Sequence, residues 1–168
     1  MPIASTTRPV SGLFSFPDPV DEVSARLVAA GVVLMSLAAI AFDLPWMTAV
    51  IAYGFVARVL TGPMLSPLGQ LVTRIVRPRL GVAPRPVPGP PKRFAQGMGA
   101  AMSVTAILAL GFGLRGAAYV VLGLLATAAT LESVFALCLG CRIFAVLMRL
   151  GVIPEQVCES CADLGAHR

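Results

Sequence analysis

The chain has 168 residues, of which 57% are hydrophobic and only 12% charged, with a mean hydropathy of +0.86 and a formal net charge of +5. A water-soluble domain of this size has no interior large enough for that much apolar surface, so an ordinary soluble globule is excluded. The apolar residues gather in four blocks separated by polar stretches, the pattern of membrane-spanning helices. The expected class is therefore an all-α integral membrane protein: a bundle of four transmembrane helices with a short amphipathic interfacial helix in the central loop.

Residues 1–19, rich in Pro, Ser and Thr, read as a flexible arm. With acid and proline but no basic region leading into a short apolar core, this arm is not expected to be a removable signal peptide. Residues 20–150 form the expected membrane domain. Asp21 and Glu22 sit where acids favour a helix start, and Glu22 can pair with Arg26 one turn later.

The first span is expected at about 24–42, its 16 uncharged residues from Leu27 to Phe42 extended by Arg26 reaching toward headgroups. Asp43-Leu44-Pro45-Trp46 follows, with a capping acid, a proline suited to a first turn and an interfacial tryptophan. It predicts a tight turn into a second short span at about 45–60. A re-entrant hairpin is the alternative for these two segments.

From Arg58 to Arg93 there are seven basic residues and no acid, which places this loop on the cytoplasmic side. Within it Leu68, Leu71, Val72, Ile75 and Val76 recur at helical spacing opposite Gln70, Thr73, Arg74 and Arg77. They predict an interfacial helix at about 67–77, opened by Ser66-Pro67 and stopped by Pro78, its basic face on anionic lipid headgroups. Without aromatic interleaving or a binding motif, the charge does not indicate nucleic acid. Residues 82–91 read as a proline-rich linker.

The third span is expected at about 94–114, 21 residues without a charge, and the fourth at about 117–141 with Glu132 its only charged group. The distribution of Lys and Arg puts both termini inside. The implied location is a bacterial inner membrane, crossed several times.

Chemistry beyond packing is confined to the last third. Cys138-Leu139-Gly140-Cys141-Arg142 ends the fourth apolar block, and Cys158-Glu159-Ser160-Cys161 lies in the tail, residues 151–168. On one continuous helix Cys138 and Cys141 lie about 60° apart, with Arg142 about 40° from Cys138, placed to hold a thiolate. Glu132 would be about 120° from Cys138, which breaks a direct proton relay unless the helix kinks at Gly140 or water intervenes. Glu132 itself reads either as a proton acceptor or polar anchor, or as a protonated acid bonded to a neighbouring helix. An i,i+3 pair inside a helix lacks the helix N-terminus that activates a thioredoxin-type nucleophile.

The full spacing C-x2-C-x16-C-x2-C is also that of a four-cysteine zinc or iron site on Cys138, Cys141, Cys158 and Cys161. Thiols facing a reducing cytoplasm are not expected to form permanent disulfides. No quinone, haem or nucleotide motif is legible.

Asp21-Glu22, Arg26-Leu27, Ser66-Pro67-Leu68-Gly69, Arg77-Pro78-Arg79-Leu80-Gly81, Pro91-Lys92-Arg93-Phe94-Ala95-Gln96, Glu132, Phe135 and Cys138-Leu139-Gly140-Cys141 together resemble a bacterial membrane family known as domain of unknown function 4395, over roughly 20–150. The resemblance implies four spans and a role in thiol or sulfur handling beside a thioredoxin-like or rhodanese-like (sulfurtransferase) protein. Cys158 and Cys161 fall outside it. The expected function is thiol redox or sulfur transfer at the cytoplasmic face, with Cys138 as nucleophile assisted by Arg142, Cys141 as resolving thiol and Glu132 as proton or polar anchor. A four-cysteine metal module and a non-catalytic subunit of a membrane complex are the alternatives.

Overall fold

The computed structural model describes residues 16–158. The elements in order are β1 (Val20–Asp21), α1 (Glu22–Ala41), α2 (Pro45–Thr61), α3 (Pro67–Leu71), a π-helical turn (Val72–Val76), α4 (Arg77–Leu80), β2 (Pro86–Val87), α5 (Gly89–Gly111), α6 (Arg115–Phe135), α7 (Leu139–Arg149) and a 3-10 turn (Glu155–Val157). Apart from the two-residue antiparallel ladder of β1 with β2, in which Val20 faces Val87, the described chain is helical.

The four long helices form a ring in which α1 packs on α6, α6 on α5, α5 on α2 and α2 on α1. Its seam is small and aliphatic: Ala29, Val32, Ala39, Ile51, Phe55, Ala106, Ala118, Leu122 and Ala129 are all buried. The outside is apolar too. Leu34 is 70% exposed, Leu108 57% and Val120 64%, all on the long helices, a surface that water would not tolerate and lipid does. Three helices, α1, α5 and α6, are long and apolar enough to cross a membrane, while α2 is apolar but has 17 residues. The protein is a membrane protein by this measure.

Local chemistry sets several boundaries away from their sequence expectation. The acid Asp43 does not cap α2: it adopts φ 50° at the end of α1 and turns its carboxylate to Arg115 Nη1 (2.7 Å) and the Tyr119 hydroxyl. α5 starts at Gly89, inside the expected linker, because Pro90 and Pro91 occupy a first turn whose N–H groups need no helical partner. Pro78 does not stop the loop helix either. The preceding π turn, closed by Arg77 N–H on Val72 C=O, accommodates the proline, and the helix ends at Gly81 in the left-handed region (φ 60°).

Asp21 ties this loop to the bundle. It caps α1 through the N–H groups of Val23 and Ser24, accepts from the Arg85 N–H, and pairs with Arg77 Nε at 2.7 Å. Burial works against its ionised form. Hydrogen bonds from the Arg77 guanidinium, the Ser24 hydroxyl and the Arg85 and Ser24 N–H groups outweigh it and hold the carboxyl at about 2. Because the folded value lies below the unfolded one, this stabilisation is complete above about pH 4 and is lost as the pH falls toward 2. Asp21→Ala is expected to cost about 1 kcal/mol or more, the worth of a helix cap, and to flatten the acid limb of a pH–stability profile measured by thermal unfolding in detergent.

Arg26 does not pair with Glu22. It reaches across to the end of α6, donating to the carbonyls of Ser133 (3.0 Å) and Val134 (3.1 Å), groups a helix end leaves without partners.

Candidate functional site at the α6–α7 break

The expected continuous helix over 117–141 is two helices. α6 ends at Phe135, and Ala136 takes a left-handed conformation (φ 55°) with its N–H on Leu131 C=O. The Leu137 N–H joins it there at 3.0 Å. An alanine pays roughly 1–2 kcal/mol for that conformation. Three interactions offset it: Arg26 on the freed carbonyls, Cys138 as cap of the next helix, and Gly140 pressed against α5. A Cβ on Gly140 would lie 2.5 Å from the Ala95 Cα, so only glycine lets α7 approach this closely. The kink is thus at Ala136, not Gly140.

The break changes the chemistry of the pair. Cys138 is the N-cap of the 11-residue α7, and its sulfur accepts the Cys141 N–H at 3.3 Å. This is the helix N-terminus position that a mid-helix pair lacks, where the dipole and free N–H groups favour a thiolate. Both sulfurs are free thiols; Cys138 is buried and Cys141 half-buried. A hydrogen bond from the Cys141 thiol holds Cys138 below the ordinary thiol range, helped by Lys92 and the Cys141 N–H against burial and the Glu132 charge. The same hydrogen bond, together with burial and the negative charge of Cys138, pushes Cys141 up. The two sulfurs are thus differentiated, Cys138 the more acidic and Cys141 the less.

The cation serving the pair is Lys92, from the first turn of α5. Its Nζ lies 2.7 Å from Glu132 Oε1, with side chains 10% and 18% exposed, and its charge reaches both sulfurs. Arg142 is exposed and its guanidinium makes no hydrogen bond or ion pair among the described residues; its backbone N–H donates to Cys138 C=O at 3.1 Å. Glu132 does share the neighbourhood of the thiols: both it and Cys138 line one cavity.

Two further polar residues complete the cluster. Arg58, 5% exposed near the end of α2, donates from Nε to Gln96 Oε1 (2.9 Å) and from Nη1 to Ser66 Oγ (3.1 Å), and lies over the Phe55 ring at 4.6 Å. In the sequence Arg58 and Lys92 stand only among the seven basic residues from Arg58 to Arg93. A proline pair that starts α5 early, setting Lys92 in its first turn beside the last turn of α6, was the available signal.

Cys158 is buried and disulfide-bonded, against the expectation that the thiols stay reduced, and Cys161 lies outside the described residues. A four-cysteine zinc or iron site would need that disulfide reduced. Among the described residues no three His, Cys, Asp or Glu side chains converge on a metal position.

The model of the family described as Domain of unknown function (DUF4395) matches residues 20–149. The chain belongs to that family. No curated protein and no solved structure matches it. The DUF4395 match runs from the β1 ladder to the end of α7. It takes in the α6–α7 break, Cys138, Cys141, Lys92 and Arg58, and leaves out Cys158 and Cys161.

Proposed function

We propose that this protein carries out thiol–disulfide exchange at the cytoplasmic face of a bacterial inner membrane, with a soluble thioredoxin-like or rhodanese-like protein as partner. The observation that carries the reading is the seating of Cys138 as cap of α7 with Cys141 bonded to it and Lys92 beside both.

In this scheme the Cys138 thiolate attacks one sulfur of a partner disulfide, and the partner's second sulfur leaves as a thiolate and takes a proton. Cys141 then gives up its proton and attacks the Cys138 sulfur, expelling the partner's first sulfur. One disulfide is formed and one reduced, a two-electron transfer. Glu132 acts as a polar anchor that holds Lys92 over the sulfurs. Sulfur transfer follows the same first step, with Cys138 attacking the outer sulfur of a partner persulfide.

Helices α1, α2, α5 and α6 are taken as four spans, α2 completed by Arg58 and the Pro63–Leu65 turn. The ends of α2 and α6 and the starts of α1 and α5 then share one membrane face with the loop whose basic residues mark the cytoplasm. The segment from Pro67 to Leu80 lies in that interface, exposing Leu71, Ile75 and Leu80 beside Arg74 and Arg79. α7 lies there too, its exposed Leu139, Ile143, Val146 and Leu150 forming a stripe at helical spacing.

Trapping in native membranes tests the reading. Cys141→Ser should accumulate a mixed disulfide with a soluble partner, and Cys138→Ser should abolish it. Unchanged partners in Cys138→Ser would refute the assignment.

A further inference from the structure

A cavity of about 330 Å³ lies beside Cys138, which lines it, within the size range of about 300–1,000 Å³ usual for small-molecule sites. Its walls are mostly aliphatic and aromatic, drawn from α1 (Val28, Val32), α2 (Phe55), α5 (Met102) and α6 (Leu125), with the polar groups Arg58, Gln96, Glu132 and Cys138 also on its lining. Part of that lining is exposed and apolar: Leu124 is 59% exposed, Ile143 41% and Leu139 40%. In the four-span arrangement this opening faces lipid, not water.

The buried Arg58 supplies the second observation. Its Nε and Nη1 are engaged by Gln96 and Ser66. Among the described residues its Nη2 has no acceptor, and it is not among the buried atoms sealed from contact without a partner. A guanidinium at 5% exposure that lines a cavity with an unused donor calls for a ligand acceptor. A small anion is disfavoured there, since the Glu132 carboxylate lines the same space and the opening is apolar. A flat, neutral, apolar ring bearing carbonyl oxygens meets every condition. Gly99 helps make room: a Cβ there would sit 2.3 Å from Phe55 Cε1, so the glycine lets that ring fold back against α5.

We propose that this cavity binds the ring of a membrane-dissolved quinone, which takes two electrons from the Cys138–Cys141 dithiol. The proposal rests on the redox reading above, with the exchange run in its reverse sense so that a soluble partner's dithiol reduces the Cys138–Cys141 disulfide and is itself oxidised, and it names the membrane-side acceptor of those two electrons. Arg58 donates to a quinone carbonyl. The Cys138 sulfur bonds to a ring carbon, and that adduct takes up a proton from solution. The Cys141 sulfur, on losing its proton, attacks Cys138, breaking the carbon–sulfur bond, and the Cys141 proton completes the quinol. The dithiol is oxidised to a disulfide and the quinone reduced by two electrons and two protons.

The test uses the full chain in detergent, reduced and freed of reductant, mixed with decylubiquinone. Expected are the loss of one quinone absorbance equivalent per protein and the loss of the Cys138 and Cys141 thiols by alkylation mass. Arg58→Gln, which removes the donor, and Ala128→Phe, which fills the cavity from a half-buried position on α6, should each slow that oxidation roughly tenfold relative to exchange with a small disulfide on the same sample. If the thiols persist with quinone yet still exchange with a disulfide, the quinone site is wrong and the redox reading stands. If they are inert to both, both readings fail. Oxidation of both variants at the wild-type rate, or protection of Cys138 from alkylation by sulfite but not by quinone, would also overturn the proposal.

Discussion

Glu132→Gln should lower unfolding stability by about 2–3 kcal/mol, somewhat less than the roughly 3–5 kcal/mol for breaking a fully buried ion pair, because Lys92 and Glu132 keep 10% and 18% side-chain exposure. The variant leaves an ammonium among apolar helix ends with no carboxylate to face. Lys92→Met should cost a similar amount for the opposite reason, a half-buried carboxylate left without its cation. The pair joins α5 to α6 at the level where α7 begins, so its loss acts on the site as well as on the bundle. Lys92→Met with Glu132→Leu removes both charges and should recover most of the loss, since a well-packed apolar pair often matches a buried ionic one. Denaturant unfolding in detergent with the double-mutant cycle measures this. Additive single effects would mean that the two side chains do not interact.

The membrane class was legible because it depends on summed apolar area, which composition reports directly. The helix starts at Ser66-Pro67 and Asp21 were legible for a related reason: a capping side chain and a first-turn proline act within one turn of themselves, and Ser66 does accept the Gly69 N–H at 3.2 Å. What escaped was decided by groups far apart in sequence. Ala136 carries no glycine or proline to announce a break, and cysteine is not an expected cap. The break is favoured by Arg26, more than a hundred residues earlier, and by Ala95 of α5 against Gly140. Reading 117–141 as one rod therefore put the thiols in mid-helix and gave Arg142 the role of nearest cation. With the rod divided, the same residues stand at a helix start, and the cation comes from α5. Glu132 was legible as the one charge of the fourth apolar block, but its partner could not be named from periodicity, since Lys92 lies 40 positions away.

Alkylation of Cys138 by iodoacetamide should follow a pH midpoint below the ordinary thiol value of about 8.5, while Cys141 should stay unreactive through the same range. The thiolate is the reacting species, and because a more acidic thiol is also a weaker nucleophile, the Cys138 rate at pH 7 rises about threefold for each tenfold gain in ionised fraction. Lys92→Met removes a positive charge and exposes the pair to the Glu132 carboxylate. Both changes disfavour the thiolate, so the midpoint should move up and the rate at pH 7 should fall. Cys141→Ala removes the hydrogen bond that contributes most to the lowering and should move the midpoint up further, although the backbone N–H of residue 141 remains. Arg142→Gln, by contrast, should leave it where it was, because that guanidinium is exposed and engages neither sulfur. A midpoint that follows Arg142 and ignores Lys92 would return the pair to the geometry of an unbroken helix, with no cap at Cys138 and no shared face with α5.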